Sequence, residues 1–225
     1  MNRVACTLLM ITLGLLQVSA VHADCSDKRG QGMDWTGCKK TNKFMDGSDF
    51  TSSRFDRANL TGSKLDDSDF TGASLIKTNL TRTTVSNSQI VNADMTKAVG
   101  YRAQFQGATL TGSVLTKSEF SRADFEGATI RDVDWSRSEL GRVNFGNASL
   151  NQVDFKFTNL ARARFAGARL NGVDFSGAYT YRTHFEGVDL TDVTLSQQQL
   201  DLACGDQATR LPEGLTAPEH WPCKE

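Results

Sequence analysis

The sequence predicts an all-β fold in which the chain winds as a four-sided coil around its own apolar axis. Three observations predict it. Large apolar residues recur at every fifth position, small residues stand two places before them, and several residue types repeat again at a step of twenty.

The series of fives runs Met45, Phe50, Phe55, Leu60, Leu65, Phe70 and Leu75, and continues through Trp135 to Leu190, Leu195 and Leu200. A helix turns such a series by about 140° per step and smears it over every side, while a strand alternates it between faces. A chain that bends at each unit points the whole series inward. Ala58, Ser63, Ala73, Ala93, Ala103, Ala108 and Ala128 fill the inner space where a second large side chain would clash.

The step of twenty gives the number of sides. Phe105, Phe125, Phe145, Phe165 and Phe185 form one series; Ile90, Leu110, Ile130, Leu150, Leu170 and Leu190 form another. Four units then make one turn, and the two series become facing inner walls. About eight coils at the ~4.8 Å spacing of paired strands give a prism roughly 40 Å long.

Units of the form A-(D/N/x)-(L/F)-x-x, repeated without insertion over about residues 45–200, resemble the pentapeptide-repeat family. The resemblance implies a right-handed quadrilateral β-helix. It implies no single function, because that fold hosts many roles. Some members mimic duplex DNA and protect type II topoisomerases, a role that wants a strongly acidic surface. Three positions depart from the pattern. Lys40 sits at an inward position, so regular packing is expected after it. Gly100 leaves a gap into which Phe120 is expected to lean, and Thr180 is expected to weaken its column.

Four segments follow. Residues 1–23 read as a signal peptide, with Arg3, the run VACTLLMITLGLL and a small-residue cleavage site ending at Ala23, Ala20 being the alternative. An uncleaved membrane anchor is the competing reading, although the run is short of the roughly 20 residues a span needs. Residues 24–44 form an N-terminal cap, 45–200 the β-helix, and 201–225 a C-terminal cap and tail. Where the last two meet, Ser196 and Gln199 form a capping box, Leu195 and Leu200 a hydrophobic staple, and Gly205 the stop of a short capping helix. Trp221 is the expected anchor of the tail. An exported location, periplasmic or secreted, is the corresponding expectation.

Cleavage leaves Cys25, Cys38, Cys204 and Cys223, an even count that suits disulfides in an exported chain. The prism separates its ends by far more than the ~7 Å a disulfide spans. That favours Cys25–Cys38 and Cys204–Cys223, with a free inward thiol at Cys38 as the alternative.

Catalytic chemistry has little support. His184 and His220 lack ligand-spaced partners, no phosphate loop or nucleophile motif occurs, and an uninterrupted array has no long loop to carry a grafted site. The expectation is therefore a non-enzymatic scaffold with no cofactor and no metal. An unrecognised hydrolase is the weaker alternative, as is the topoisomerase-protecting role, which a net charge of −1 and a leader sequence disfavour.

The outer positions point further. Arg82, Arg102, Arg122, Arg142, Arg162 and Arg182 repeat at twenty, and Arg57, Lys77, Lys97, Lys117 and Arg137 do so on the adjacent corner. One side of the prism thus carries two columns of cations, suited to a polyanion or another envelope partner. The opposite reading is a solvated face neutralised by Asp94, Glu119, Asp134 and Glu139. Near its C-terminal end Phe157, Tyr179 and Tyr181 are expected outward beside Arg182, either as a contact patch or as ordinary exposed aromatics. The partner and the oligomeric state are open.

Overall fold

The computed structural model describes residues 23–223; the expected leader lies outside the described residues, apart from Ala23. The chain forms a β-solenoid with almost no helix. Parallel bridges join each residue to the one twenty positions on, as in Asp34, Arg54, Ser74, Asp94, Val114, Asp134, Asp154 and Asp174. Full strands occupy one side of the coil: β1 (Gln89–Val91), β2 (Thr109–Thr111), β3 (Thr129–Arg131), β4 (Ser149–Asn151) and β5 (Arg169–Asn171) pair in order as a parallel sheet. A second pair, β6 (Val173–Asp174) and β7 (Val193–Thr194), lies on the next side. Three-residue strands therefore span five coils rather than the expected eight. Elsewhere the same register survives as isolated bridges, because a turn in every unit leaves too few residues for a longer strand.

The fives are the core. Phe105 and Phe125 stack with centroids 4.7 Å apart, and the stack continues through Phe145, Phe165 and Phe185. Trp135, Phe155 and Phe175 stack in a second column. Burying a side chain of this class contributes about 1.5–3 kcal/mol, so the columns dominate the cohesion of the prism. Where the small inward residue is Ser or Thr, its hydroxyl in most coils donates to a backbone carbonyl of the preceding coil. Thr83 Oγ1 reaches Leu60 O at 2.9 Å and Ser138 Oγ reaches Leu115 O at 2.8 Å.

The three irregular positions behave differently from one another. At Gly100 an added Cβ would lie 2.2 Å from the Phe120 ring, so the ring does fill the gap. Lys40 does not mark the start of packing: Met33, Trp35 and Cys38 are already buried, and the ladder begins at Asp34. The Lys40 ammonium leaves the core, donating to Cys25 O at 2.7 Å and lying 3.9 Å from the centre of the Trp35 ring. Thr180 is a built contact rather than a weakness. It is buried, and its hydroxyl donates to Gln199 O at 2.7 Å, holding the capping helix to the last coil.

That helix, α1 (Gln197–Leu200), carries the expected capping box, with Ser196 and Gln199 bonded reciprocally. Leu200 is fully buried and Leu195 packs against the core. The helix stops well before Gly205, because the chain returns to the ladder: Arg182 N–H donates to Leu202 O at 2.7 Å and Phe185 N–H to Cys204 O at 2.8 Å. Gly205 is not the helix stop; a Cβ there would collide with the Trp221 ring at 2.3 Å. Trp221 anchors the tail through this contact and by donating from Nε1 to Ala203 O at 2.8 Å. Disulfides close both ends, Cys25–Cys38 with Cα atoms 5.5 Å apart and Cys204–Cys223 at 5.4 Å.

Candidate functional site

Most bends are four-residue turns closed by one hydrogen bond, such as Ser53 N–H to Phe50 O at 3.1 Å, whereas on the sheet side Ala93 N–H donates instead to Ser113 Oγ at 3.1 Å. The third residue of the turn takes a left-handed conformation. On two corners of the prism that position holds residues suited to it: Asp67, Asn87, Gly107, Gly127, Asn147 and Gly167 on one, Ser52, Gly72, Asn92, Gly112 and Asp132 on the next. The other two corners hold cations along most of their length, with Gly37, Phe157 and Gly177 at the ends of one and Asn42 and Gly62 at the start of the other. Arg57, Lys77, Lys97, Lys117 and Arg137 have φ of 57° to 59°, and Arg82, Arg102, Arg122, Arg142, Arg162 and Arg182 have φ of 52° to 61°.

A Cβ in this conformation costs about 1–2 kcal/mol where glycine costs nothing. Backbone preference therefore explains most residues on two corners, Gln152 excepted, and opposes the cations on the other two.

These cations are exposed, except for the half-buried Arg182. The ion pairs among the described residues are Arg54–Asp56, Lys156 with Asp154 and Asp174, His184–Glu186 and Arg210–Asp189. None involves Arg57, Lys77, Lys97, Lys117, Arg137 or the arginines from Arg82 to Arg162. Among the described residues Asp94, Glu119, Asp134 and Glu139 form no ion pair with these cations, although Glu119 and Glu139 stand between the two columns. Asp94 and Asp134 instead accept the turn N–H groups of Thr96 and Ser136 at 2.9 and 2.8 Å. That local bond is why Asp or Asn so often precedes the inward residue.

Between the two cation rails runs one outward column, stacked by bridges: Lys39, Asn59, Asn79, Val99, Glu119, Glu139, Asn159 and Tyr179. Glu119 and Glu139 are exposed, and Glu139 accepts from Asn159 Nδ2 at 2.8 Å. At the C-terminal end the rails meet aromatics. Phe157 is 63% exposed, Tyr179 50% and Tyr181 41%, and the two tyrosine rings lie nearly parallel with centroids 6.2 Å apart. Arg102 lies over Tyr101 at 5.3 Å in the same face. A shallow depression of about 450 Å³ is lined by Arg162, Arg164, Arg182, His184 and Glu186 on the neighbouring side.

Among the described residues, the one group with metal-ligand proximity is His184, Glu186 and Cys204, with donor atoms within 4.8 Å. Cys204 is committed to its disulfide, which leaves His184 Nδ1 and Glu186 Oε1 facing each other at 2.9 Å. Sequence reasoning placed the cations, the tyrosines and the cysteines; it did not reveal the left-handed corners or the central column. The signal for the corners was present, since Gly and Asn recur at the third turn position on every corner, giving way to cations on two of them along the middle of the prism.

A family model described as pentapeptide repeats (8 copies) matches residues 36–67, 53–90 and 78–116, and one described as a pentapeptide repeat region matches 118–203. The chain belongs to the pentapeptide-repeat family. As in its structural neighbours, the fold of this pentapeptide-repeat protein is a right-handed quadrilateral β-helix. A trypsin-treated variant of QnrB1, a plasmid-mediated fluoroquinolone resistance protein, superposes with a TM-score of 0.71 at 20% identity, covering 82% of this chain and 92% of that one. HetL, a pentapeptide repeat protein involved in heterocyst differentiation regulation from the cyanobacterium Nostoc sp. strain PCC 7120, aligns at 18% identity over 84% of this chain and 91% of its own, with a TM-score of 0.34. No curated protein matches the sequence. Proteins of this family are generally structural or binding scaffolds.

Proposed function

We propose that this protein is a non-enzymatic, exported scaffold whose basic side binds a polyanion. The carrying observation is the pair of cation rails held at left-handed positions. A solvated face has no reason to retain eleven lysines and arginines where glycine or asparagine would relieve the backbone. Export is supported by the leader pattern and by two cysteine pairs at bonding distance. The likeness to QnrB1 is a likeness of fold, and a cationic side is the reverse of what a mimic of DNA needs.

The test is retention on immobilised heparin. The mature protein is expected to elute late and to elute earlier as salt rises. Replacing Arg122, Arg142 and Arg162 together by Asn, which tolerates the same backbone, is expected to weaken retention without loss of folding. Retention unaffected by the triple substitution eliminates the rails as a binding surface.

A further inference from the structure

We infer that the polyanion is a linear polysaccharide of uronic acids, laid along the prism axis between the two rails. This rests on the polyanion reading above and is narrower than it. Three features of the face choose the ligand class.

The first is the central column. A ligand carrying phosphates alone would meet Glu119 and Glu139 at the middle of its path, and like charges brought together there oppose binding. A sugar chain brings hydroxyl donors to the same place. Glu119 and Glu139 present carboxylate acceptors in consecutive rungs, flanked on both sides by cations, while the Asn79 and Asn159 amide oxygens are engaged by the turn N–H groups of Thr81 and Ala161. Hydroxyls toward the centre and carboxylates toward the rails is the arrangement a polyuronate supplies.

The second is straightness. Rungs joined by parallel bridges repeat at about 4.8 Å, close to the advance of one linked pyranose. Pairing at a constant step of twenty keeps each rail on one corner from coil to coil. A duplex would touch such a face over a short arc, because its phosphates turn away around the helix. A single nucleic-acid strand carries its phosphates on one edge and would use one rail. A polysaccharide ribbon whose carboxylates alternate between its two edges uses both.

The third is the end of the path. Tyr179 closes the central column, with Phe157 and Tyr181 exposed beside it. Aromatic rings there offer apolar contact to a pyranose face, giving the site one distinct end.

The experiment compares two probes on the full mature protein, with EDTA present to keep divalent ions from bridging carboxylates. One is an oligomer of polymannuronate; the other is oligothymidylate of equal charge number. The wild-type protein is expected to bind the uronate about tenfold more tightly at matched ionic strength. The double substitution Glu119→Gln and Glu139→Gln is expected to narrow that preference by strengthening oligothymidylate binding. Tighter binding of oligothymidylate by the wild type overturns the uronate assignment while leaving the rails a polyanion site. Absence of salt-sensitive binding to either probe overturns the rails themselves. An unchanged preference in the double variant overturns the role given to the central column.

Discussion

At the scale of single residues, Gly100 and the arginines of the rails show two opposite constraints on small side chains. Gly100 is small because Phe120 occupies its space, and its substitution by Ala is expected to destabilise by about 1–3 kcal/mol through overpacking. Urea denaturation of Gly100→Ala measures this, and adding Phe120→Leu should restore part of the loss. Arg142 lies at the other extreme. Replacing it with Gly removes the left-handed penalty and should raise stability by roughly 0.5–1 kcal/mol, net of the added chain entropy, while weakening heparin retention. A thermal melt set beside the column profile would separate the two effects. The gap at position 100 was legible because one missing side chain in a regular column is conspicuous. The strain at position 142 was not, since a turn's handedness lies in backbone angles that periodicity alone does not encode.

Among the elements, the C-terminal cap departs most from what local pattern predicts. The capping box at Ser196 and Gln199 forms, yet the helix ends at Leu200 and the glycine that resembles a stop serves Trp221. Tertiary pairing overrode helix propensity once the backbone of Leu202 and Cys204 met the edge of the last coil. Asp206 then ties the cap to the coil. It accepts N–H groups from Gly187 at 2.9 Å and from Ala208 and Thr209 at 3.0 Å. The Gly187 bond, foremost, holds its carboxyl below the usual carboxylate range, against the opposing effect of partial burial. A depressed folded pKa means the stabilisation is complete above the unfolded value of about 3.9. It is lost as pH falls through the lower folded value. Limited proteolysis of the tail should accelerate over that acidic window in the wild type and lose this pH dependence in Asp206→Asn. The disulfides act on the same ends. They close separations of 13 and 19 residues, so replacing either pair with serines should cost about 2–4 kcal/mol. Chemical denaturation of each pair variant reads that loss, and one with unchanged stability would show that the hydrogen bonds alone hold that end.

For the whole molecule, the fold was legible because every coil repeats one simple rule, and an error in one unit is outvoted by its neighbours. The site was legible only in outline. Charge columns are visible in sequence, but whether Asp94 or Asp134 neutralises them depends on a hydrogen bond two residues away. The same repetition makes the prism behave as a rotary mechanism. Each coil advances the chain by one rung and returns it to the same heading, whereas each unit turns it through one side. An insertion of one twenty-residue coil after Leu110 should therefore lengthen the cation rails and leave them continuous. An insertion of one five-residue unit at the same place keeps the apolar axis filled but swings everything downstream a quarter turn. Arg122, Arg142 and Arg162 would then face a different direction from Arg82 and Arg102. Both insertions should fold, as circular dichroism can establish, and only the five-residue one should lose heparin retention. Sequence length modulo twenty is, in this protein, a compass bearing.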